Sequence, residues 1–142
     1  MDTRENLFLS ETHGVSGRSV ILEDDGTSAW LHLTERGGLR PVADAWVYNR
    51  VTGVHPDDVQ LYRGAPPPAP ITVVDGQEVC PSPEQHRWEL RWEEDGEAVT
   101  LLRDSEPMAF LSSRERRGMS RHLVVECGWG TPLRLAPRKL AD

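Results

Sequence analysis

The sequence predicts an all-β domain built from antiparallel hairpins, either as a sandwich or as an open barrel. Asp-Gly, the dipeptide most typical of a tight hairpin turn, occurs three times between runs of alternating apolar residues. The stretch "VILEDDGTSAWLHL" is nearly repeated seventy positions later as "LRWEEDGEAVTLLR". Apolar spacing typical of helices is almost absent, so strands and turns are expected to be the main elements.

The first Asp-Gly turn, at residues 25–26, predicts a hairpin with a two-residue loop. In that register Leu22 faces Ala29 and Val20 faces Leu31. The apolar residues then lie on one side of the hairpin, as they would above a core. A shift of one residue would turn every side chain to the other face, so the register can be tested.

The second Asp-Gly turn, at residues 95–96, predicts an equivalent hairpin. Here Trp92 faces Val99 and Leu90 faces Leu101, again on one apolar side. These residues, together with Val20, Leu22 and Leu31, form the predicted core. The near repeat in the sequence is therefore explained by two hairpins that each turn an apolar face inward.

The third Asp-Gly turn, at residues 75–76, predicts a shorter hairpin. It would pair Thr72 with Val79 and Ile71 with Cys80. The remaining strands are predicted at 41–49, 107–113 and 120–129, with "SRERRG" as a charged turn between the last two, and one helical turn is expected within 55–62.

The chain length of 142 residues fits a single domain. A Pro-rich link at 64–70 is expected to be extended, because proline lacks the N–H needed to join a sheet. It separates two β halves within a core of about 19–133. The terminal segments 1–15 and 134–142 are expected to be peripheral.

The charge distribution argues against some classes of partner. The net charge is −7, but residues 1–100 carry 18 acidic and 8 basic side chains, so the body is acidic. An acidic body is not expected to bind nucleic acid in general, since neutralising phosphates supplies most of that affinity. The sequence also has no apolar run of membrane-spanning length and no apolar leader, so we expect a cytoplasmic protein.

The first candidate binding residues lie in "DAWVYNR". Strand alternation places Asp44, Trp46 and Tyr48 on one side, with Asn49 at the end. If the intervening alanine and valine pack inward, this row of aromatic and polar groups faces outward, and such residues are favoured at binding hot spots. The alternative is that Trp46 and Tyr48 are buried, with Asp44 at a sheet edge.

The second candidate is the arginine cluster "SSRERRGMSRH". Its members are Arg114, Arg116, Arg117 and Arg121. Arginine makes bidentate hydrogen bonds to carboxylate and phosphate groups, so this cluster could contact an acidic partner. The alternative is a solvated turn.

No pattern of catalytic or metal-binding residues is visible. The five histidines and the two cysteines, Cys80 and Cys127, lack ligand spacing, so neither a metal nor another cofactor is expected. Cys80 and Cys127 could pair, although a reduced chain is the simpler interpretation. The acidic tips 23–25 and 93–95 would offer carboxylates to a hard cation such as Ca²⁺ if the hairpins lay side by side; solvated turns are the alternative.

Four segments together resemble a known family. They are "EDDGTSAWLHL" (23–33), "DAWVYN" (44–49), "WEEDGEAVTLL" (92–102) and "PMAFLSSRERRG" (107–118). The set is similar to a family of small bacterial proteins classed as a domain of unknown function. The resemblance implies a small, mainly β bacterial protein and implies no activity. The segment 50–87 looks longer than the link in that family.

These observations favour a non-enzymatic β-rich binding or interaction protein, of immunity or regulatory type. Its partner would be a protein or a small anionic ligand, and both a monomer and a homodimer are open. The alternative function is a small enzyme or small-molecule-binding protein whose cleft is lined by Trp46 and Tyr48. No catalytic residue is nominated for it.

Overall fold

The computed structural model describes residues 8–62 and 67–133, which form a single β-dominated domain. The predicted all-β class is therefore confirmed. The described strands are β1 (Phe8–Thr12), β2 (Ser19–Asp24), β3 (Ser28–Thr34), β4 (Pro41–Asn49), β5 (Trp88–Trp92), β6 (Ala98–Arg103), β7 (Glu106–Ser112), β8 (Glu115–Ser120) and β9 (Thr131–Pro132). Two short 3₁₀ helices, Pro56–Tyr62 and Pro83–Gln85, lie between β4 and β5, the first of them at the predicted helical turn.

The strands form one curled sheet in the order β1-β2-β3-β4-β8-β7-β6-β5, with β9 beside β8. Strands β1–β4 make one antiparallel meander and β5–β8 make a second. The two meanders meet where β4 pairs with β8 in parallel, at Asp44 and Arg117. The result is a half-barrel, so the open-barrel alternative describes the fold better than a sandwich, and its sheet is mixed instead of wholly antiparallel.

The β5–β6 hairpin has the predicted register. Trp92 pairs with Val99 and Leu90 pairs with Leu101. Gly96 in the turn has a φ of +72°, a conformation that glycine adopts without steric cost. The turn is not type I′, because Asp95 lacks the positive φ that this turn needs, so the apolar alternation of the two strands accounts for the register.

The β2–β3 hairpin forms, but its predicted register is wrong by two residues. Leu22 pairs with Leu31, and the turn is centred on the residues that follow Asp25. The backbone N–H of Asp25 donates to the Ser28 carbonyl (3.2 Å), and positive φ occurs at Gly26 (+93°) but not at Asp25. A type I′ turn at 25–26 would need positive φ at both positions. Since the shift is an even number, the apolar residues keep their predicted face.

The predicted hairpin at 71–80 does not form, because its two arms pair with different neighbours. Val79 makes a parallel bridge to Asn49 at the end of β4, while Val74 makes an antiparallel bridge to Leu123. The turn itself is present, with Gly76 at a φ of +87°. Turn chemistry therefore predicted the reversal of the chain but not the partners of its arms.

The predicted turn at 113–118 and the predicted strand at 120–129 are also wrong. Residues 115–120 form β8, and the segment after it consists of turns and isolated bridges. Gly118 explains part of this difference, because a Cβ there would overlap the Leu111 side chain and lie 2.9 Å from the Cβ of Ala45. This glycine permits a close approach of neighbouring strands within the sheet. The sequence pattern had instead predicted that it lies in a turn.

The N-terminal segment is less peripheral than predicted. Residues 8–12 form β1, which pairs along its length with β2 from Phe8↔Glu23 to Thr12↔Ser19. The prediction for the other terminal segment, 134–142, lies outside the described residues. Of the Pro-rich link 64–70, residues 67–70 are described, without regular secondary structure.

The main core lies inside the curl of the sheet. Five of the predicted core residues are fully buried there: Val20, Leu22, Leu31, Val99 and Leu101. The other two, Leu90 and Trp92, are half-buried and pack against this core. They lie on β5, the last strand of the sheet, which among the described strands has a neighbour on one side alone.

A second apolar cluster covers the other face of the sheet. Trp30 and Trp46 pair across β3 and β4 and pack with Ala69 and Leu123. Leu31 lies in the main core, so adjacent residues of β3 serve opposite faces. The segments near 69 and 123 therefore form a lid over the outside of the first meander.

A β-bulge in β4 decides which face each aromatic side chain takes. Ala29 pairs with Tyr48 and Trp30 pairs with Trp46, which leaves Val47 as the extra residue. Val47 and Tyr48 both enter the main core, whereas Trp46 enters the second cluster. Regular alternation would have placed Trp46 and Tyr48 on one side, as the sequence predicted.

Asn49, at the end of β4, holds the following segments against the sheet. Its side-chain oxygen accepts hydrogen bonds from Trp46 Nε1 (2.8 Å) and from the Ala69 backbone N–H (2.9 Å), and its Nδ2 donates to the Ala69 carbonyl (2.8 Å). Its backbone bonds to Glu78 and Cys80. Since Asn49 is 1% exposed, none of these groups could be satisfied by water without opening the structure.

The two acidic hairpin tips do not converge. The 25–28 turn lies at the end of the half-barrel where Arg50 donates to the Thr27 carbonyl. The 94–97 turn lies at the other end, where the carboxylate of Glu97 receives Arg18. The condition for a shared cation site, hairpins that lie side by side, is therefore not met, and the alternative of two separate turns describes the structure.

Glu97 joins several turns at that second end. Its carboxylate accepts hydrogen bonds from Ser113 Oγ (2.7 Å), Arg18 Nε (2.9 Å) and Arg36 NH2 (2.5 Å). The hydrogen bond from Ser113 lowers the pKa of Glu97 below its ordinary 4.5, and the two arginines lower it further. Partial burial opposes this shift. A single carboxylate thus connects the turns that precede β2, β4, β6 and β8.

We expect Asn49→Ala to reduce the free energy of unfolding by about 3 kcal/mol, because it leaves the Trp46 indole N–H and the Ala69 backbone groups buried without partners. Urea unfolding measures this change. Gln77→Ala, which removes an exposed amide side chain, is the matched control and should change stability by less than about 0.5 kcal/mol. Equal effects of the two substitutions would contradict the role of Asn49.

We expect Glu97→Gln to destabilise the protein at neutral pH and to matter less in acid. A carboxyl whose folded pKa is lowered contributes stability above its unfolded pKa and loses it as the pH falls through the folded pKa. The difference between wild type and variant, measured by urea unfolding, should therefore shrink below pH 4.5. A difference that stays constant through this range would contradict the assignment; Glu94→Gln at the exposed hairpin tip is the control.

Candidate functional site

The parallel pairing of β4 with β8 brings together two segments that the sequence singled out separately. Asp44 and Arg117 are paired residues, so their side chains lie beside each other on the outer face of the sheet. Arg117 NH1 also lies 3.0 Å from Glu126 Oε2. On the other side of Asp44, His32 Nδ1 lies 4.0 Å from its carboxylate. This part of the surface therefore carries both signs of charge.

Trp46 and Tyr48 do not form an outward row; of the two arrangements that the sequence left open, the one with both side chains buried is present. Both side chains are 0% exposed, and the bulge at Val47 sends them to different apolar clusters. Asn49 is buried as well, with its amide fully engaged in holding the chain. A cleft lined by Trp46 and Tyr48 is consequently not present. Of the four residues predicted in this segment, Asp44 alone is partly exposed.

Tyr48 instead belongs to a buried polar network. Its hydroxyl donates to Asp24 Oδ2 at 2.5 Å, and Arg50 Nε lies 3.1 Å from the same oxygen. The other carboxylate oxygen, Oδ1, accepts the backbone N–H of Gly26 at 2.7 Å. The Asp24 side chain is 0% exposed and that of Arg50 is 10% exposed, so this ion pair is shielded from solvent.

Burial governs the ionisation of this network. Burial raises the pKa of Asp24, although the hydrogen bonds from Tyr48 and Gly26 and the charge of Arg50 act to lower it. Burial and the neighbouring Asp24 raise the pKa of Tyr48 well above its usual range. The tyrosine therefore stays protonated and acts as a hydrogen-bond donor to the carboxylate. These groups hold β2 and β4 together, and their position in the interior gives a solute no direct access.

The two cysteines are unpaired and lie in different surroundings. Cys80 is 1% exposed in the main core, and Cys127 packs beside the second cluster. Burial raises the pKa of the Cys80 thiol, opposed by Arg103. A thiol held protonated in the interior is a poor nucleophile. The sequence left open whether Cys80 and Cys127 form a disulfide, and in the structure both are free thiols.

The four predicted arginines do not form one cluster. Arg114, Arg116 and Arg117 are exposed, at and after the turn that leads into β8. Arg121 is turned toward β7, where NH1 donates to the Pro107 carbonyl (3.3 Å) and NH2 lies 3.9 Å from Glu106 Oε1. The first three therefore remain candidates for contact with a partner, while Arg121 is engaged within the fold.

A shallow depression on the outer face of β7 and β8 was not predicted. Its floor is formed by Phe110 and Met119, which are paired across the two strands and half-buried. Ser112, Glu115, Arg117, Gly118 and Thr131 complete its lining. Sequence reasoning missed it because it assigned the arginine-rich stretch to a turn, whereas the strand places alternate residues of 115–119 on one face.

Exposed apolar residues lie in the segment whose Glu126 contacts Arg117. Val124 and Val125 are 55% and 47% exposed, and they precede Glu126, the residue that contacts Arg117. We call Phe110, Met119, Arg117, Val124 and Val125 together the outer patch. Apolar groups surrounded by charged ones are the composition found at protein interfaces.

Comparison of the chain with protein-family models, curated proteins and solved structures found no match. The resemblance to small bacterial proteins therefore stays a prediction from motifs. Within residues 8–62 and 67–133, no helix is long and apolar enough to cross a membrane. The geometry of the outer patch is thus the main guide to function.

We expect Tyr48→Phe to reduce the free energy of unfolding by about 1–3 kcal/mol, because the buried Asp24 carboxylate loses a hydrogen bond that water cannot replace. Denaturant unfolding followed by tryptophan fluorescence measures the loss. Thr100→Val, which removes a hydroxyl from a half-buried position on β6, is the control and should have a smaller effect. Wild-type stability of Tyr48→Phe would show that the hydroxyl is not needed to stabilise Asp24.

Proposed function

We propose that this protein is a non-enzymatic binding protein that docks a protein partner on the outer patch. The observation that carries the proposal is the apolar floor of Phe110 and Met119 on the outer face of the sheet, with Arg117 at its margin. Val124 and Val125 extend the apolar area on the adjoining loop. A partner could place an apolar side chain on the floor and polar groups on the charged rim.

The charges around the patch favour a protein over a small anion. Arg117 is already in contact with Glu126 and beside Asp44, and Glu115 also borders the depression. A small anion would have to displace these carboxylates or meet their repulsion. A protein surface can instead present both signs of charge, each opposite its complement. Arg114 and Arg116 are exposed around the start of β8 but do not line the depression, so Arg117 is the arginine that this proposal uses.

The buried polar groups support a binding role over a catalytic one. Asp24, Tyr48 and Arg50 form a shielded network, and the Cys80 thiol is buried in the main core. Each has a structural contact and none lines the outer patch. An immunity-type or regulatory protein of the bacterial cytoplasm is the subtype that we propose, on the basis of its small size, acidic body and family resemblance.

The alternative function, a small enzyme or small-molecule-binding protein, depended on a cleft lined by Trp46 and Tyr48. Those side chains fill two apolar clusters on opposite faces of the sheet. No observation on the described residues favours this alternative over the binding role.

We expect Arg117→Glu to weaken binding of the native partner by at least about tenfold, since it reverses the charge at the margin of the apolar floor. The partner is first isolated from the source cells with tagged wild-type protein, and its affinity for each variant is then measured by calorimetry. Val125→Glu tests the apolar part of the patch in the same assay and should also weaken binding. Circular dichroism checks that both variants keep the fold.

The matched control makes the same kinds of change near the two edges of the sheet, away from β7 and β8. Val15, in the turn between β1 and β2, is 78% exposed, and Arg87, just before β5, is also exposed, so Val15→Glu is combined with Arg87→Glu. This control should bind the partner as wild type does. Wild-type affinity of both patch variants would refute the proposed surface.

A further inference from the structure

Strand β5 is the last strand of the sheet, and among residues 8–62 and 67–133 no strand pairs with its outer edge. Glu93 N–H donates to the Ala98 carbonyl and the Asp104 N–H donates to the Arg87 carbonyl, so the odd-numbered residues of this strand face β6. By alternation, the backbone groups of Trp88, Leu90 and Trp92 point to the free edge. Within the described ranges, no hydrogen bond joins these backbone groups to another segment.

The edge of β5 lacks the features that usually prevent strand pairing. On β1, at the other edge of the sheet, the inward side carries a charge: Glu11 shares the face of Leu9 and accepts the Trp92 indole N–H at 2.6 Å. On β5 the inward side chains are Trp88, Leu90 and Trp92, all half-buried. Inward charges, prolines and bulges protect edges, and β5 has none of them.

The sequence of β5 is self-complementary when it is read against itself in the antiparallel direction. The strand is Trp-Glu-Leu-Arg-Trp, centred on Leu90. We propose that a second copy of this chain pairs with β5, with a two-fold axis at Leu90, so that the two half-barrels form one continuous sheet. Self-pairing of one edge is the isologous contact that a two-fold dimer requires.

The pairing satisfies both the backbone and the charges. Leu90 would lie opposite Leu90 of the second copy and Trp88 opposite Trp92 of the second copy, so the unpaired N–H and C=O groups of all three residues would bond across the axis. On the outer face, Glu89 would lie opposite Arg91 of the second copy, twice by symmetry. Opposite charges at directly facing positions stabilise a sheet, whereas like charges there destabilise it.

The existing contacts of β5 leave this edge accessible. Glu89 and Arg91 lie 3.3 Å apart in one chain, with their side chains 49% and 57% exposed, so both can also reach a second strand. Contacts from the first meander reach aromatic rings of β5 and not its backbone: Glu11 and His13 contact Trp92, and Tyr48 contacts Trp88. Five residues a side is far fewer than the roughly 20–30 of a standard interface, so we expect a dimer of modest affinity.

Charge exchange tests the pairing. Glu89→Arg or Arg91→Glu alone would place like charges opposite each other twice and should weaken the dimer by at least about tenfold. The double variant Glu89→Arg/Arg91→Glu restores opposite pairs and should dimerise like wild type. A mixture of the two single variants should form a heterodimer, because one contributes arginines and the other glutamates at every facing position.

Sedimentation equilibrium at low ionic strength over a range of concentrations gives each dissociation constant, and native mass spectrometry identifies the heterodimer. Glu94→Arg, at the exposed tip beyond the strand, is the matched control and should dimerise as wild type does. Wild type that stays monomeric at every concentration would overturn the proposal. So would a dimer with unchanged affinity in both single variants. Neither result would bear on partner binding at the outer patch, which lies on β7, β8 and the segment that follows β8.

Discussion

The β-bulge at Val47 is the constraint on which the rest of the structure depends. One extra residue in β4 lets Trp46 and Tyr48 occupy opposite faces of the same sheet. Without it, one face would hold both rings and the other would lose its largest side chain. The bulge thereby gives a sheet of modest length two apolar clusters, and it points the Tyr48 hydroxyl at the buried Asp24 carboxylate.

Two polar residues then hold the irregular parts of the chain to this sheet. Asn49 bonds to the segments near 69 and 79, which allows the long connection between the meanders to cover the outer face. Glu97 joins the turns at the other end through arginine and serine donors. In both cases one side chain satisfies several groups, so loops are positioned without strands of their own.

Local sequence signals predicted the class of fold, the strand at 41–49 and the register of the β5–β6 hairpin. They failed where the outcome depends on distant partners. The arms of the 71–80 turn pair with Asn49 and Leu123, and β8 forms from an arginine-rich stretch because β4 and β7 lie on either side of it. For the candidate site, the arginines were predicted from the sequence. The Phe110–Met119 floor was not, because it forms only when residues 115–120 are a strand. The burial of Trp46 and Tyr48 on opposite faces depends on the bulge in β4. No pattern in the sequence marks the bulge.

The parallel joint between β4 and β8 has a consequence for the order of folding. Each meander consists of hairpins between neighbouring segments, which close short loops and form quickly. Asp44 and Arg117, in contrast, are more than seventy positions apart in the chain, and their pairing waits until both meanders exist. Chain entropy therefore makes this joint a late event, and until it forms, the facing edges of β4 and β8 are exposed to wrong partners. Gly118, which permits the close approach of β8 to Ala45 on β4, therefore contributes to the long-range pairing that joins the two meanders.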